Sequence, residues 1–129
     1  MKPERRLQLQ VCEYLQIKYP NVIFWANDSG EKKPMGLAIL GKRMRSGSKI
    51  PDLWISEPRG MFCGLYIELK TKSPFLKNGQ LSSNEHIQAQ NKMLDALIGK
   101  GYMAGFAWTL EMAIATIDLY MSQKPVKPS

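Results

Sequence analysis

Two carboxylates and a lysine stand where strand alternation would bring them together. Asp52 follows Pro51 at the start of a β-prone run over 53–56, and Glu68-Leu69-Lys70 begins sixteen residues on, inside the clearest strand pattern of the chain at 62–71. Strand side chains alternate, so Glu68 and Lys70 share one face while Ile67 and Leu69 point to the other. Leu53 and Ile55 are the apolar partners of the preceding run, which puts Asp52 on the face opposite to theirs. If the two strands are neighbours, Asp52, Glu68 and Lys70 converge. Close carboxylates repel, and a divalent cation removes that cost. Magnesium takes oxygen ligands and keeps several waters, so two carboxylates, a carbonyl and a phosphate suffice. Such an ion polarises a phosphate and acidifies a bound water. A neighbouring lysine would orient or deprotonate that water and offset charge on phosphorus. A Glu-x-Lys pair alone is common on solvated strands. Together with Pro-Asp and a basic stretch just before it, the pair points to metal-assisted phosphodiester hydrolysis.

That basic stretch dominates the charge of the chain. The 129 residues carry 18 Lys+Arg against 11 Asp+Glu, a formal +7. Residues 31–49 hold Lys32, Lys33, Lys42, Arg43, Arg45 and Lys49 against Glu31 alone, six positive charges less one, so +5 sits in this segment. Excess positive charge favours a polyanion, and nucleic acid is the commonest. The alternative is an ordinary solvated charge run. Two cysteines and a single histidine, His86, exclude a disulfide scaffold, a four-thiolate zinc site and a two-histidine acid–base pair within one chain. No Gly-x-x-x-x-Gly-Lys-Ser/Thr loop is present, which argues against ATP-driven action. No apolar run reaches membrane-spanning length, and the first residues lack the apolar core of a signal peptide. The expectation is an intracellular, cytoplasmic protein with no membrane association.

The elements that must position these residues read as follows. Residues 3–18 form a helix, with Leu7, Val11, Tyr14 and Leu15 at helical spacing and Pro3 in the first turn. A short strand at 22–26 stops at Asn27-Asp28-Ser29-Gly30. Leu37-Ala38-Ile39-Leu40 fits a helical turn or a short strand equally well. The runs at 53–56 and 62–71 flank a Glu57-Pro58-Arg59-Gly60 turn and read as a hairpin. A helix follows over 84–99, capped by Ser82 or Ser83 and closed by Gly99 and Gly101; then a strand over 102–108 and a last helix to 121, capped by Thr109. One domain over 1–121 and a mobile tail over 122–129 are expected. The order α-β-β-β-α-β-α, with the basic loop after the first strand, makes an α/β fold with a central mixed sheet flanked by helices.

Ile50-Pro51-Asp52-Leu53 followed by Ile67-Glu68-Leu69-Lys70 resembles the PD-(D/E)XK nuclease signature of the restriction-endonuclease-like fold. More narrowly, the chain resembles a stand-alone VRR-NUC (virus-type replication-repair nuclease) domain from residue 4 to 121. Glu4-Arg-Arg-Leu-Gln8 is similar to the family's opening Glu-x-x-x-Gln, and Asn27-Asp28-Ser29-Gly30 to its Asn/Gly turn. Leu81-Ser82 with Gln90 resembles the start of its next helix, and Gly101-Tyr102 and Thr109-Leu110-Glu111-Met112-Ala113 also fit. The resemblance implies Mg2+ or Mn2+ held by Asp52, Glu68 and the Leu69 carbonyl, with Lys70 activating or holding the attacking water. It implies Gln90 reaching into the site, with Gln88 a rival, and Glu4 approaching from the first helix, with Glu13 a competitor. It further implies an endonuclease acting on branched DNA such as four-way junctions, a homodimer, and a phage or bacterial source. Lys72 would join Lys32, Lys33, Lys42, Arg43, Arg45 and Lys49 in contacting DNA phosphates. The chain departs from the family pattern in having Lys49 where a glycine usually precedes the proline by two residues, in about one extra helical turn between Ser82 and Gln90, and in Trp54.

The remaining candidates have plainer readings. His86 reads as a surface histidine, Cys63 as a buried strand thiol, Cys12 as a packing residue, and Trp25 and Trp108 as core. A competing function is a non-catalytic nucleic-acid-binding subunit on a nuclease-like scaffold; a more remote one is an adaptor whose basic stretch contacts an acidic protein. A pure binder has no reason to gather carboxylates near phosphates.

Overall fold

The apolar stripe of the first helix decides how it packs. α1 (Pro3–Lys18) has Pro3 in its first turn and buries Leu7, Val11 and Leu15 at successive four-residue steps, with Gln8 beside them. The computed structural model describes residues 1–27, 33–47 and 49–126. After α1 come β1 (Phe24–Ala26), α2 (Met35–Arg43), β2 (Leu53–Ile55), β3 (Leu65–Leu69), α3 (Glu85–Gly99), β4 (Met103–Ala107) and α4 (Leu110–Met121). The sheet order is β1-β2-β3-β4. β1 and β3 each pair with β2 antiparallel, whereas β3 and β4 are parallel, a pairing that needs the crossover supplied by α3. The result is the expected α/β fold, a mixed sheet flanked by helices.

Alternation sorts the two sheet faces. Leu53, Ile55, Leu65, Ile67 and Leu69 form one face and pack with Leu7, Val11, Leu15, Ala113, Ile117 and Tyr120 of α1 and α4. Polar side chains lock these two helices together: the Tyr14 and Tyr19 hydroxyls donate to Asp118 Oδ1 at 2.6 and 2.7 Å, and Lys18 Nζ lies 3.2 Å from Asp118 Oδ2. The opposite face carries Trp54, Tyr66 and Glu68, and α3 covers its β3–β4 half. No helix of the described residues is long and apolar enough to cross a membrane.

Several expectations change in detail. Residues 37–40 belong to a helix, α2, which adds an element to the expected order and buries none of its residues. The cap of α3 is Asn84, whose side chain accepts from the His86 and Ile87 N–H groups; Ser82 Oγ instead accepts from Asn84 N–H, one step upstream. Thr109 does cap α4, accepting from Met112 N–H. Cys63 is exposed rather than buried, because the strand starts only at Leu65, while Cys12 is half-buried against the core. Trp25 is 50% exposed and not core, since it lies on the sheet face away from α1. Trp108 is half-buried against Phe75. Residues 122–126, expected as tail, lie along the β2–β3 turn: Gly60 N–H donates to Lys124 O, and the Arg59 guanidinium donates to Met121 O and Gln123 O. Residues 127–129 and the Asp28-Ser29-Gly30 turn lie outside the described residues.

Gly101 sets the step from α3 into β4. Its φ is 98°, the left-handed conformation that closes a helix, and Tyr102 N–H reaches back to Leu97 O at 3.1 Å. A Cβ there would also stand 3.3 Å from Cys63 Sγ. Gly101→Ala is therefore expected to lower stability by about 1–2 kcal/mol. It would read as a lower urea midpoint at unchanged slope; an unchanged midpoint would mean that the turn tolerates a side chain.

Candidate active site

The β2–β3 register sets the centre of the site. Leu53 pairs with Ile67 and Trp54 with Tyr66, and one further antiparallel step places Asp52 across from Glu68. The hydrogen bonds agree with that step. Asp52 Oδ2 accepts from Leu69 N–H at 2.8 Å, and Asp52 O accepts from Asn27 N–H at 2.7 Å. Glu68 is 4% exposed, and its Oε1 accepts from Gln90 Nε2 at 2.7 Å. The two carboxyl groups lie within hydrogen-bonding reach of each other.

Electrostatics make this an expensive arrangement. Burial, and then the charge of Asp52, push the Glu68 carboxyl up to about 9; Lys70 pulls the other way. Burial pushes Asp52 up to about 6, against the Leu69 N–H bond, which favours its charged form. The pair therefore holds a proton at neutral pH that ordinary carboxyls would have lost.

Two glutamines, one from each side of the sheet, fix the Asp52 backbone and the Glu68 carboxylate. Gln8 of α1 donates from Nε2 to both Asn27 O and Asp52 O, at 2.9 and 3.1 Å, and Asn27 Nδ2 donates to Ile50 O at 3.1 Å. These bonds hold the segment leading into Asp52. Gln90 of α3 is 7% exposed and fixes Glu68. Its rival Gln88 is exposed and donates to Ser82 O instead. Glu4 lies one turn before Gln8, and its charge acts on both carboxyls; Glu13 is exposed further along α1, where its charge acts on Cys12. Lys70 is half-buried, with its charge acting on both carboxyls and its N–H donating to Ala107 O.

His86, by sequence a plain surface histidine, stands beside the site. It stands one turn before Gln90 on α3, with Nε2 3.3 Å from the Gln90 amide and Nδ1 2.6 Å from Lys49 Nζ. Partial burial and the charges of Lys49 and Lys70 hold its pKa below the usual value, against Glu4. The i, i+4 spacing of His86 and Gln90 was the available signal. Gln8 was visible only as part of the first-helix motif.

The basic residues are more scattered. Lys33, Lys42, Arg43 and Lys72 are exposed, and Arg45 and Lys49 are half-buried. Lys49 touches His86, beside the carboxylates. Gly47 and Lys49 line a groove with Ala89, Lys92, Met93 and Ala96, so this end of the segment runs along α3. Lys32 lies outside the described residues.

The donor set fits a hard divalent cation. Among the described residues no three His, Cys, Asp or Glu side chains gather around one point. Two carboxylates with the rest left to backbone and water suit magnesium or manganese and not a soft metal. Gln90 Oε1 is buried without a hydrogen-bond partner, which leaves an open acceptor beside Glu68, as a hydrated cation at this site would use.

A scan against protein-family models finds no match, and neither does a search of curated proteins. Among solved structures the chain is similar to a VRR_NUC domain protein, with a TM-score of 0.66 and 22% sequence identity over 98% of this chain and 94% of that one. The fold is thus that of a VRR_NUC domain protein.

Both carboxyl pKa values are raised on folding, so the native state binds more protons than the unfolded one. Their contribution is fully favourable below the ordinary carboxyl range and is lost as pH rises towards about 6 for Asp52 and about 9 for Glu68. The metal-free protein should therefore lose stability between about pH 5 and pH 8. Glu68→Gln keeps an oxygen for Gln90 to donate to and removes the charge, so it should flatten this decline and raise the melting temperature at pH 8. A variant less stable than wild type at that pH would contradict the cost of the buried charge.

Proposed function

We propose that this chain is a metal-dependent DNA endonuclease that hydrolyses phosphodiester bonds, with Mg2+ or Mn2+ held by Asp52, Glu68 and the Leu69 carbonyl. The observation that carries the proposal is the half-buried Asp52 facing the buried Glu68 across β2 and β3, beside a lysine, with burial raising both carboxyls. The destabilising pair makes sense where a cation is to be bound. When bound, the ion polarises the scissile phosphate and lowers the pKa of a coordinated water.

The chain's own residues do the rest. Lys70 in its charged form orients the attacking water and offsets the charge developing on the phosphoryl oxygens, or as the neutral amine accepts the water's proton. Gln90 fixes Glu68 and offers its free Oε1 to a water in the site. Gln8 holds the backbone of Asp52, and Glu4 contacts the site from α1 through water or positions Lys70. Lys33, Lys42, Arg43, Arg45, Lys49 and Lys72, with Lys32, contact the DNA backbone, so recognition follows DNA shape more than sequence.

The same reading extends to branched DNA, such as four-way junctions, and to a homodimer whose two sites cut two strands. The exposure of Leu37, Ile39 and Leu40 on α2 supports self-association. The proposed setting is intracellular, where branched DNA intermediates arise.

Purified protein should cleave junction DNA with Mg2+ or Mn2+ and lose the activity in EDTA. Asp52→Asn and Lys70→Ala should each lower the rate by about 100-fold or more. Cleavage that survives in Asp52→Asn would remove the assignment. Linear duplex cut as fast as the junction would remove the structure preference alone. Sedimentation reports on the dimer: Leu40→Asp should shift it towards monomer.

A further inference from the structure

The sheet face that carries the carboxylates also carries a row of aromatic rings. Trp25, Trp54 and Tyr66 are cross-strand partners on β1, β2 and β3. Trp54 stacks on Tyr66 with ring centroids 5.7 Å apart and planes 6° apart, and Trp25 meets Trp54 edge to face. On the far side of Tyr66, the ring of Tyr102 stands edge-on at 5.2 Å. These contacts fix the row at one end and leave it open at the other. α3 packs on β3 and β4, while α1 meets β1 from the opposite face, so Trp25 stays 50% exposed.

Position along the strands gives the row its meaning. Trp54 is two residues from Asp52, and Tyr66 two residues from Glu68, on the same face. Two strand residues span about 7 Å, and Trp25 lies one strand spacing of about 5 Å beyond Trp54. The aromatic row therefore runs parallel to the carboxylate row at a separation that one nucleotide's sugar bridges between its phosphate and its base. A phosphate at the carboxylates would bring the adjoining base over the aromatic row. A paired base inside a duplex offers only its edge there; an unpaired base offers its whole π-face. Stacking is tolerant of base identity, in keeping with a chain that reads no sequence. The surplus charge of +7 suits a nucleic-acid strand as the occupant.

We propose that Trp25, backed by Trp54 and Tyr66, is a stacking subsite for an unpaired DNA base next to the scissile phosphate. This rests on the nuclease reading for the position of the phosphate, and it narrows the substrate to DNA with single-stranded character at the cut. Trp54, which the family pattern leaves unexplained, acquires a role as the rigid support of Trp25.

The test measures binding in EDTA, apart from cleavage, with a short oligothymidylate and a blunt duplex as probes. Trp25→Ala should weaken oligothymidylate binding roughly tenfold. It should change blunt-duplex binding by less than about twofold. Trp25→Phe should keep most of the affinity, and unchanged melting temperatures would exclude unfolding as the cause. No oligothymidylate binding by wild type, no loss in Trp25→Ala, or the same loss on both probes would overturn the proposal. So would a Trp25→Ala protein that instead turns monomeric by sedimentation, since the face would then join two copies of the chain. Asp52-dependent cleavage, measured separately, tells the two readings apart. If it persists while the Trp25 effect is missing, the nuclease stands and the subsite falls; if Trp25 stacks DNA but no cleavage occurs, the nuclease reading falls.

Discussion

Everything near the site depends on the cost of burying Asp52 and Glu68 face to face. An antiparallel register that aligns Leu53 with Ile67 necessarily aligns the next residues too, and those are two acids. Burial keeps water from screening them, and the Glu68 carboxyl rises furthest. A sheet selected for stability alone would place a polar-neutral or apolar pair there. Retaining both carboxylates is understandable where a cation supplies the missing charge.

The surrounding structure keeps that pair from relaxing. Gln8 clamps the backbone on the α1 side, Gln90 clamps the Glu68 side chain on the α3 side, and the Leu69 N–H holds one oxygen of Asp52. Each clamp comes from a different element, and each element is anchored elsewhere: α1 to α4 through Asp118, and α3 to β4 through the Gly101 turn. The stability lost at the carboxylates is thus offset by the core on the other face of the sheet, where Leu53, Ile67 and Leu69 pack tightly.

Much of this was legible in the sequence, because strand alternation converts spacing into facing direction. Asp52, Glu68 and Lys70 were placed by alternation around Leu53, Ile67 and Leu69. Helices with a clear apolar stripe were legible for the same reason. α2 was not, because its apolar residues follow no stripe that a core would impose, and in the structure none of them is buried. Trp25 departs from its core expectation because size and hydrophobicity do not say which sheet face a helix will cover. His86 looked like a surface residue, and it is exposed, but helix periodicity puts it against Gln90 and the loop before Pro51 brings Lys49 to it. Asn84 displaced the serines as the α3 cap because helix ends are decided by local geometry, where neighbouring polar residues compete closely.

The claim that two raised carboxyls await a cation can be measured through protons. Calorimetric titration of Mn2+ into the protein at pH 7.5, in two buffers of different ionisation enthalpy, counts protons released on binding. Release of about one proton is expected, since Glu68 must ionise to bind, together with no binding in Asp52→Asn. Binding without proton release, or undiminished in Asp52→Asn, would contradict it.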